Sequence, residues 1–142
     1  MIVVDANVAA KWFLPEKGSA EAEQLLSDAR KILAPELIRT EVAGAITRKV
    51  RSGELAAEKA IHRCGIWLKQ LEQHVVTLIP DEEVFESAVR LSVEIKHPLQ
   101  DCLYLAVARQ YDTPLITADK KFHDRASAID TRVLLLVGCK DN

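Results

Sequence analysis

The sequence predicts an α/β fold with three layers, a central and mainly parallel sheet of about five strands with helices on both faces. Three observations lead there. Five short apolar runs, at residues 2–4, 32–34, 75–79, 115–117 and 133–137, are nearly continuous instead of alternating, as expected of strands covered on both sides. Segments with helical spacing fill the intervals, and strands that alternate with helices favour parallel pairing through right-handed crossovers. The length, 142 residues, suits a single domain over residues 1–142 with one sizeable core.

Each element has its own local signal. Asp5 follows the first strand directly and leads into a helix starting near Asn7. Ser19 is placed to cap a helix whose Ala22, Leu25, Leu26 and Ala29 recur at helical spacing. Pro35 suits the first turn of another, running to about Arg51, with Leu37, Ile38, Val42, Ala45, Ile46 and Val50 as its apolar stripe. A third helix, about residues 55–73, carries Ile61, Trp67, Leu68 and Leu71. Asp81 is placed to cap a fourth, whose expected inward stripe is Val84, Phe85, Ala88, Val89, Ser92 and Ile95. His97-Pro98 interrupts that pattern, and a fifth helix runs from about Leu99 to Tyr111 until Thr113-Pro114 ends it.

Composition excludes several classes. With 49% apolar and 28% charged residues, and only five Gly and five Pro, the chain can bury a core and is neither a tail nor a linker. Nineteen basic against 21 acidic side chains give a net charge of −2, so binding to nucleic acid through bulk positive charge is excluded. No apolar run approaches membrane-spanning length, and a soluble, cytoplasmic protein without membrane association is expected. Cys64, Cys102 and Cys139 are odd in number and lack a Cys-x-x-Cys pair, which suggests neither a disulfide framework nor a zinc site. Cys64 and Cys102 fall in helical patterns and read as buried thiols.

Four carboxylates stand in places where solvated acids are not expected. Asp5 and Asp119 follow the carboxyl ends of two strands, where open α/β sheets build their sites. Glu41 interrupts the apolar stripe of the Pro35 helix, and Asp101 begins an inward stripe continued by Tyr104, Leu105 and Ala108. Taken singly, each has an ordinary reading: a cap for Asp5, a boundary residue for Glu41, a favourable helix N-terminus for Asp101, a turn residue for Asp119. Converging, they would repel one another unless a cation lay among them. Oxygen ligands of this kind select Mg²⁺ or Mn²⁺, and such a site activates water against a phosphodiester. Asn7 and Thr117 are placed to supply neutral oxygens or orient a water.

Four segments carry a resemblance: residues 2–7 (IVVDAN), 34–42 (APELIRTEV), 97–106 (HPLQDCLYLA) and 114–122 (PLITADKKF). In this order and at these intervals the chain resembles the PIN-domain ribonucleases, specifically the VapC-type toxins of bacterial toxin–antitoxin pairs. The resemblance implies a PIN-like fold and makes Asp5, Glu41, Asp101 and Asp119 the acidic metal-binding and catalytic set, supported by Asn7 and Thr117. It also implies Mg²⁺- or Mn²⁺-dependent endonucleolytic cleavage of RNA, leaving a 5′-phosphate and a 3′-hydroxyl. Its implied partners are a second copy of the chain, a cognate VapB-type antitoxin that fills the active-site groove, and operator DNA bound by that assembly. Gln100 departs from the pattern, standing where many relatives carry an aromatic residue. Setting the four acids aside turns the small acidic excess of the chain into a small basic one.

Lys11, Lys120, Lys121 and Arg125 lie close in sequence to Asp5 or Asp119 and are candidates for RNA phosphates. Trp12 and Phe13 suit either a base or partner contact or the core. His97 and His123 lie near the site segments but lack ligand spacing, and neither is assigned to metal or acid–base work. Two other readings compete: a non-catalytic PIN-like module that binds RNA or protein, and a haloacid-dehalogenase-like phosphatase. The latter needs an acid where Asn7 stands. A response-regulator receiver lacks its paired acids and acceptor.

Overall fold

The computed structural model describes residues 1–28 and 30–138. Ala29, expected in a helix stripe, and the Cys139 thiol lie outside the described residues. In chain order the elements are β1 (Ile2–Val4), α1 (Ala6–Ala9) continued by a 3₁₀ turn (Ala10–Trp12), α2 (Ser19–Ser27), β2 (Ile32–Pro35), α3 (Ile38–Arg51) and α4 (Ala57–Glu72). There follow β3 (Val76–Ile79), α5 (Asp81–Ile95), α6 (Leu99–Gln110), β4 (Leu115–Thr117), α7 (Lys120–Ser127) and β5 (Val133–Leu135).

The strands form one sheet of order β3-β2-β1-β4-β5, and every pairing is parallel. Successive strand residues point to opposite faces, so the complete burial of β1, β2 and β4 means that both faces are covered. Helix α6 packs across β1, β2 and β4 with α5 against it, while α3 packs on α1 and α4. The strand order reverses at β1, which pairs with β2 on one side and β4 on the other. A crevice therefore opens at the carboxyl ends of β1 and β4, where Asp5 and Asp119 emerge.

The predicted α/β class, the five strands and their parallel direction are all present, and several details differ. Pro35 ends β2, aligned with Ile79, and does not open a helix. β1 is in register with β2 only at Ile32 and Leu33, so the N–H that Pro35 lacks interrupts no ladder bond there. Glu36 N donates onward to the Ile79 carbonyl at 2.9 Å, and α3 starts only at Ile38.

Two expected caps do other work. Gly18, at φ 87°, occupies the N-cap of α2, and the Ser19 hydroxyl accepts from Glu16 N at 2.9 Å and donates to the Leu14 carbonyl at 3.0 Å, closing the preceding turn. Asp81 is the first residue of α5 and not its cap. Its Oδ1 accepts from Leu37 N at 3.2 Å, while its own N–H donates to Glu36 Oε1 at 3.1 Å. This reciprocal pair ties the start of α3 to the start of α5.

The helical stripes are also narrower than the pattern suggests. On α5 the inward line is Val84, Ala88 and Leu91, and Phe85 and Val89 are 44% and 41% exposed. On α4, Trp67 and Leu71 are buried, but Ile61 and Leu68 face outward. Trp67 has zero exposure, donates to the Arg39 carbonyl at 3.1 Å, and meets Trp12 and Phe13 at centroid distances of 6.3 and 5.9 Å. Trp12 and Phe13, both partly buried, thereby pack against the core. No helix among the described residues is long and apolar enough to cross a membrane.

Candidate active site

Asp5 leaves the buried β1 strand with extended backbone (φ −73°, ψ 153°) at the N-cap position of α1, yet its side chain makes no capping bond. It is 3% exposed. Its Oδ2 instead accepts from the Thr117 hydroxyl at 2.9 Å and from Asn7 Nδ2 at 3.3 Å. Thr117, the last residue of β4, in turn accepts from Asp119 N at 3.1 Å and from Asn7 Nδ2 at 3.4 Å. Asn7 Oδ1 completes the net by accepting from Ala118 N at 2.9 Å. The ends of two neighbouring strands are thus laced together around one carboxylate.

The two helical acids reach the same crevice. Glu41 lies in the first turn of α3, and its Oε1 accepts from the Tyr104 hydroxyl of α6 at 2.6 Å. Asp101, one turn before Tyr104 on α6, has Oδ2 2.6 Å from His97 Nε2. Asp5, Glu41 and Asp101 line a single cavity of about 180 Å³, with Asn7, Ala6, Ala45 and Arg48 around them. Asp119 stands beside it. It caps α7 by accepting from Phe122 N at 3.1 Å, and it offers an oxygen within 4.8 Å of Asp101 and His97 ligand atoms.

Charge in this cavity is strained. Burial, then the charge of Asp101, pushes Asp5 from 3.8 up to about 8, although the Thr117 hydroxyl opposes the shift. Burial also raises Glu41, against the Tyr104 hydrogen bond, with Asp101 and Asp81 adding to the rise. Asp101 is raised by burial and then by Asp119, against the opposing His97 contact. The Tyr104 hydroxyl is driven far above its ordinary range by burial and the three surrounding acids, so it stays a donor. Carboxylates whose ionisation is disfavoured first by burial and then by one another's charge form an oxygen donor set that a hard divalent cation would neutralise. The residues therefore fit such an ion.

A family model described as the PIN domain matches residues 2–128. The chain belongs to the PIN-domain family. Among curated proteins, this PIN domain is 28% identical to Ribonuclease VapC3 of Pyrobaculum aerophilum, over 92% of its own length and 98% of that protein. It is 27% identical to Ribonuclease VapC9 of Mycobacterium tuberculosis, over 90% and 93% of the two chains. In fold it is similar to a chain of a toxin–antitoxin complex from Klebsiella pneumoniae, at TM-score 0.68, 20% identity and coverage of 94% and 96%. A second solved neighbour is Mycobacterium tuberculosis VapC20, a sarcin-ricin loop cleaving toxin, at TM-score 0.66 and 18% identity over 91% and 95%.

The basic residues near the site of this PIN domain divide sharply. Lys11 is buried, with Nζ 2.7 Å from the Lys17 carbonyl and 3.6 Å from Glu16, so it is a packing residue and not a rim cation. Arg125 donates to the Lys96 carbonyl at 2.8 Å and to His97 Nδ1 at 3.3 Å. Lys120 is exposed and pairs with Asp124 at 2.8 Å, and Lys121 is exposed. Arg48, which the sequence pattern did not single out, lines the cavity two turns along α3 from Glu41. The same pattern gave Tyr104 only as part of an inward stripe and left His97 unassigned. The spacing of four between His97 and Asp101, straddling a helix start, was the available signal.

Proposed function

We propose that this PIN domain is a metal-dependent endoribonuclease, the toxin of a toxin–antitoxin pair. The observation that carries the reading is the convergence of Asp5, Glu41 and Asp101 on one cavity, with Asp119 at its edge and the carboxyl groups of the first three raised. The names of the curated relatives, ribonucleases both, support RNA as substrate.

In this reading Asp5, Glu41, Asp101 and Asp119 hold Mg²⁺, for which Mn²⁺ can substitute. The bound ion supplies Lewis acidity, which lowers the pKa of an attacking water and offsets charge on the phosphodiester. The rest is the work of the chain. Thr117 and Asn7 lock one oxygen of Asp5, and Tyr104 locks one oxygen of Glu41, so that the remaining oxygens face the cavity in a fixed geometry. Arg48 at the cavity, and the exposed Lys120 and Lys121 that follow Asp119 in the chain, attract the phosphate backbone. The products are a 5′-phosphate and a 3′-hydroxyl.

The solved neighbour from a toxin–antitoxin complex supports a cognate VapB-type antitoxin as inhibitor. A homodimer, its assembly with antitoxin on operator DNA, and a cytoplasmic location complete the proposal. The test is cleavage of a mixed RNA pool by purified, antitoxin-free protein. Cleavage with Mg²⁺ or Mn²⁺ that stops with EDTA and with Asp5→Ala is expected. No cleavage with either ion, together with growth inhibition unchanged by Asp5→Ala, would sink the reading.

A further inference from the structure

His97 is 6% exposed and follows the end of α5, where Lys96 takes left-handed backbone at φ 54°. Its main chain is clamped on both sides. The Ser92 hydroxyl donates to the His97 carbonyl at 2.6 Å, and His97 N donates to the Ser92 carbonyl at 3.2 Å. The ring stacks on Phe122 of α7, with centroids 4.9 Å apart and planes 23° apart. Such a ring has little freedom to turn, and its two nitrogens face two fixed partners.

Those partners determine the tautomer. A guanidinium can only donate, so the Arg125 contact at 3.3 Å requires a lone pair on Nδ1. The ring proton then sits on Nε2, which donates to Asp101 Oδ2 at 2.6 Å. Although the His97, Asp101 and Asp119 ligand atoms lie within 4.8 Å of one another, a protonated Nε2 has no lone pair for a metal. We propose that His97 is a positioning residue, oriented by Arg125 and Phe122, that takes up Asp101 Oδ2 and thereby presents Oδ1 to the cation.

The role rests on the metal site proposed above and adds a hydrogen-bonded second layer to it. Donors of this kind fix ligand orientation, and losing them costs about 10- to 100-fold in metal affinity. Arg125 is thereby reassigned from substrate contact to the outer end of an Arg125–His97–Asp101 chain. His97→Gln keeps a donor at the position of Nε2, whereas His97→Phe keeps the stacking on Phe122 and loses the donor.

The experiment measures Mn²⁺ affinity by calorimetry on the metal-free full chain, with ring-nitrogen NMR on the wild type. The expected result is a proton on Nε2 with the lone pair on Nδ1, a loss of about 10- to 100-fold in Mn²⁺ affinity for His97→Phe, and recovery of most of it in His97→Gln. Wild-type affinity in His97→Phe, an equal loss in both variants, or a lone pair on Nε2 would overturn the role. A wild-type chain that binds no Mn²⁺ overturns the metal site itself and this role with it, while an intact wild-type affinity isolates the failure to His97.

Discussion

The Tyr104 hydroxyl donates to Glu41 Oε1 at 2.6 Å, joining α6 to α3 through two side chains 63 residues apart in the chain. Tyr104 has zero exposure, and acids close to it hold its proton in place. Glu41 is consequently held at a set point above the sheet instead of sweeping the crevice. Tyr104→Phe removes the donor at nearly constant volume. Hydrogen bonds to charged groups contribute about 1.5 to 3 kcal/mol, so the expected outcome is a loss of that order in stability at pH 8, read from urea unfolding, with weaker divalent-ion binding.

The buried Asp5 makes metal-free stability depend on pH, and the sign follows from linkage. The folded group keeps its proton up to about 8, whereas the unfolded one releases it near 3.8. The folded state therefore binds more protons between those values, and stability is fully present below about pH 4 and declines as pH rises to about 8. Raised Glu41 and Asp101 act in the same direction. Thermal melts across this window, with EDTA, should show the decline, and saturating Mg²⁺ should flatten it. Stability that rises steadily from pH 5 to 8 in EDTA would contradict the assignment.

Asp5→Asn follows from the same balance. An amide carries no charge to desolvate, so the metal-free variant should melt at or above the wild-type temperature at pH 8 while losing cleavage. Asp101→Asn should behave likewise.

Asp119 separates capping from ligation. Asn is as good an N-cap as Asp, and Ala costs about 1 kcal/mol. Asp119→Asn should keep the α7 cap to Phe122 N and the fold yet abolish cleavage, whereas Asp119→Ala should lose cleavage and about 1 kcal/mol as well. Equal melting temperatures for the two variants would refute the capping role.

Asp81 offers a control away from the chemistry of the cavity. Its Oδ1 accepts from Leu37 N across 44 residues. Asp81→Ala should lower the urea midpoint by an amount worth about 1 kcal/mol, and cleavage per folded molecule should fall little by comparison with Asp5→Asn.

Much of the fold was legible because its signals are local. Continuous apolar runs mark strands buried on both faces, and all five lie within two residues of their expected limits at each end. Helix ends were less legible. Ser19 and Asp81 have capping chemistry, yet both spend it on partners outside their own helix, and nothing in the linear pattern distinguishes those uses. Phe85 and Val89 match helical spacing but fall outside the narrow line of α5 that α6 covers. The short α7, only eight residues, was missed because a turn and an N-cap share the same residue types at Asp119.

For the site, residue type and sequence context singled out four misplaced acids, since burying a carboxylate in an apolar stripe costs free energy wherever the helix packs. The chain by itself determined the five strands and most of the helices between them, and with these the place of Asp5 and Asp119 after the carboxyl ends of two strands, whose adjacency in the sheet came only from the tertiary structure. Only the tertiary structure decided that Glu41 and Asp101 share a cavity with Asp5, that Lys11 is buried, and that Arg125 turns inward to His97. The reason is range. Backbone periodicity is written in neighbours a few residues apart, whereas the hydrogen bonds that orient these groups span up to 112 residues and exist only once α3, α6 and α7 have packed around the sheet.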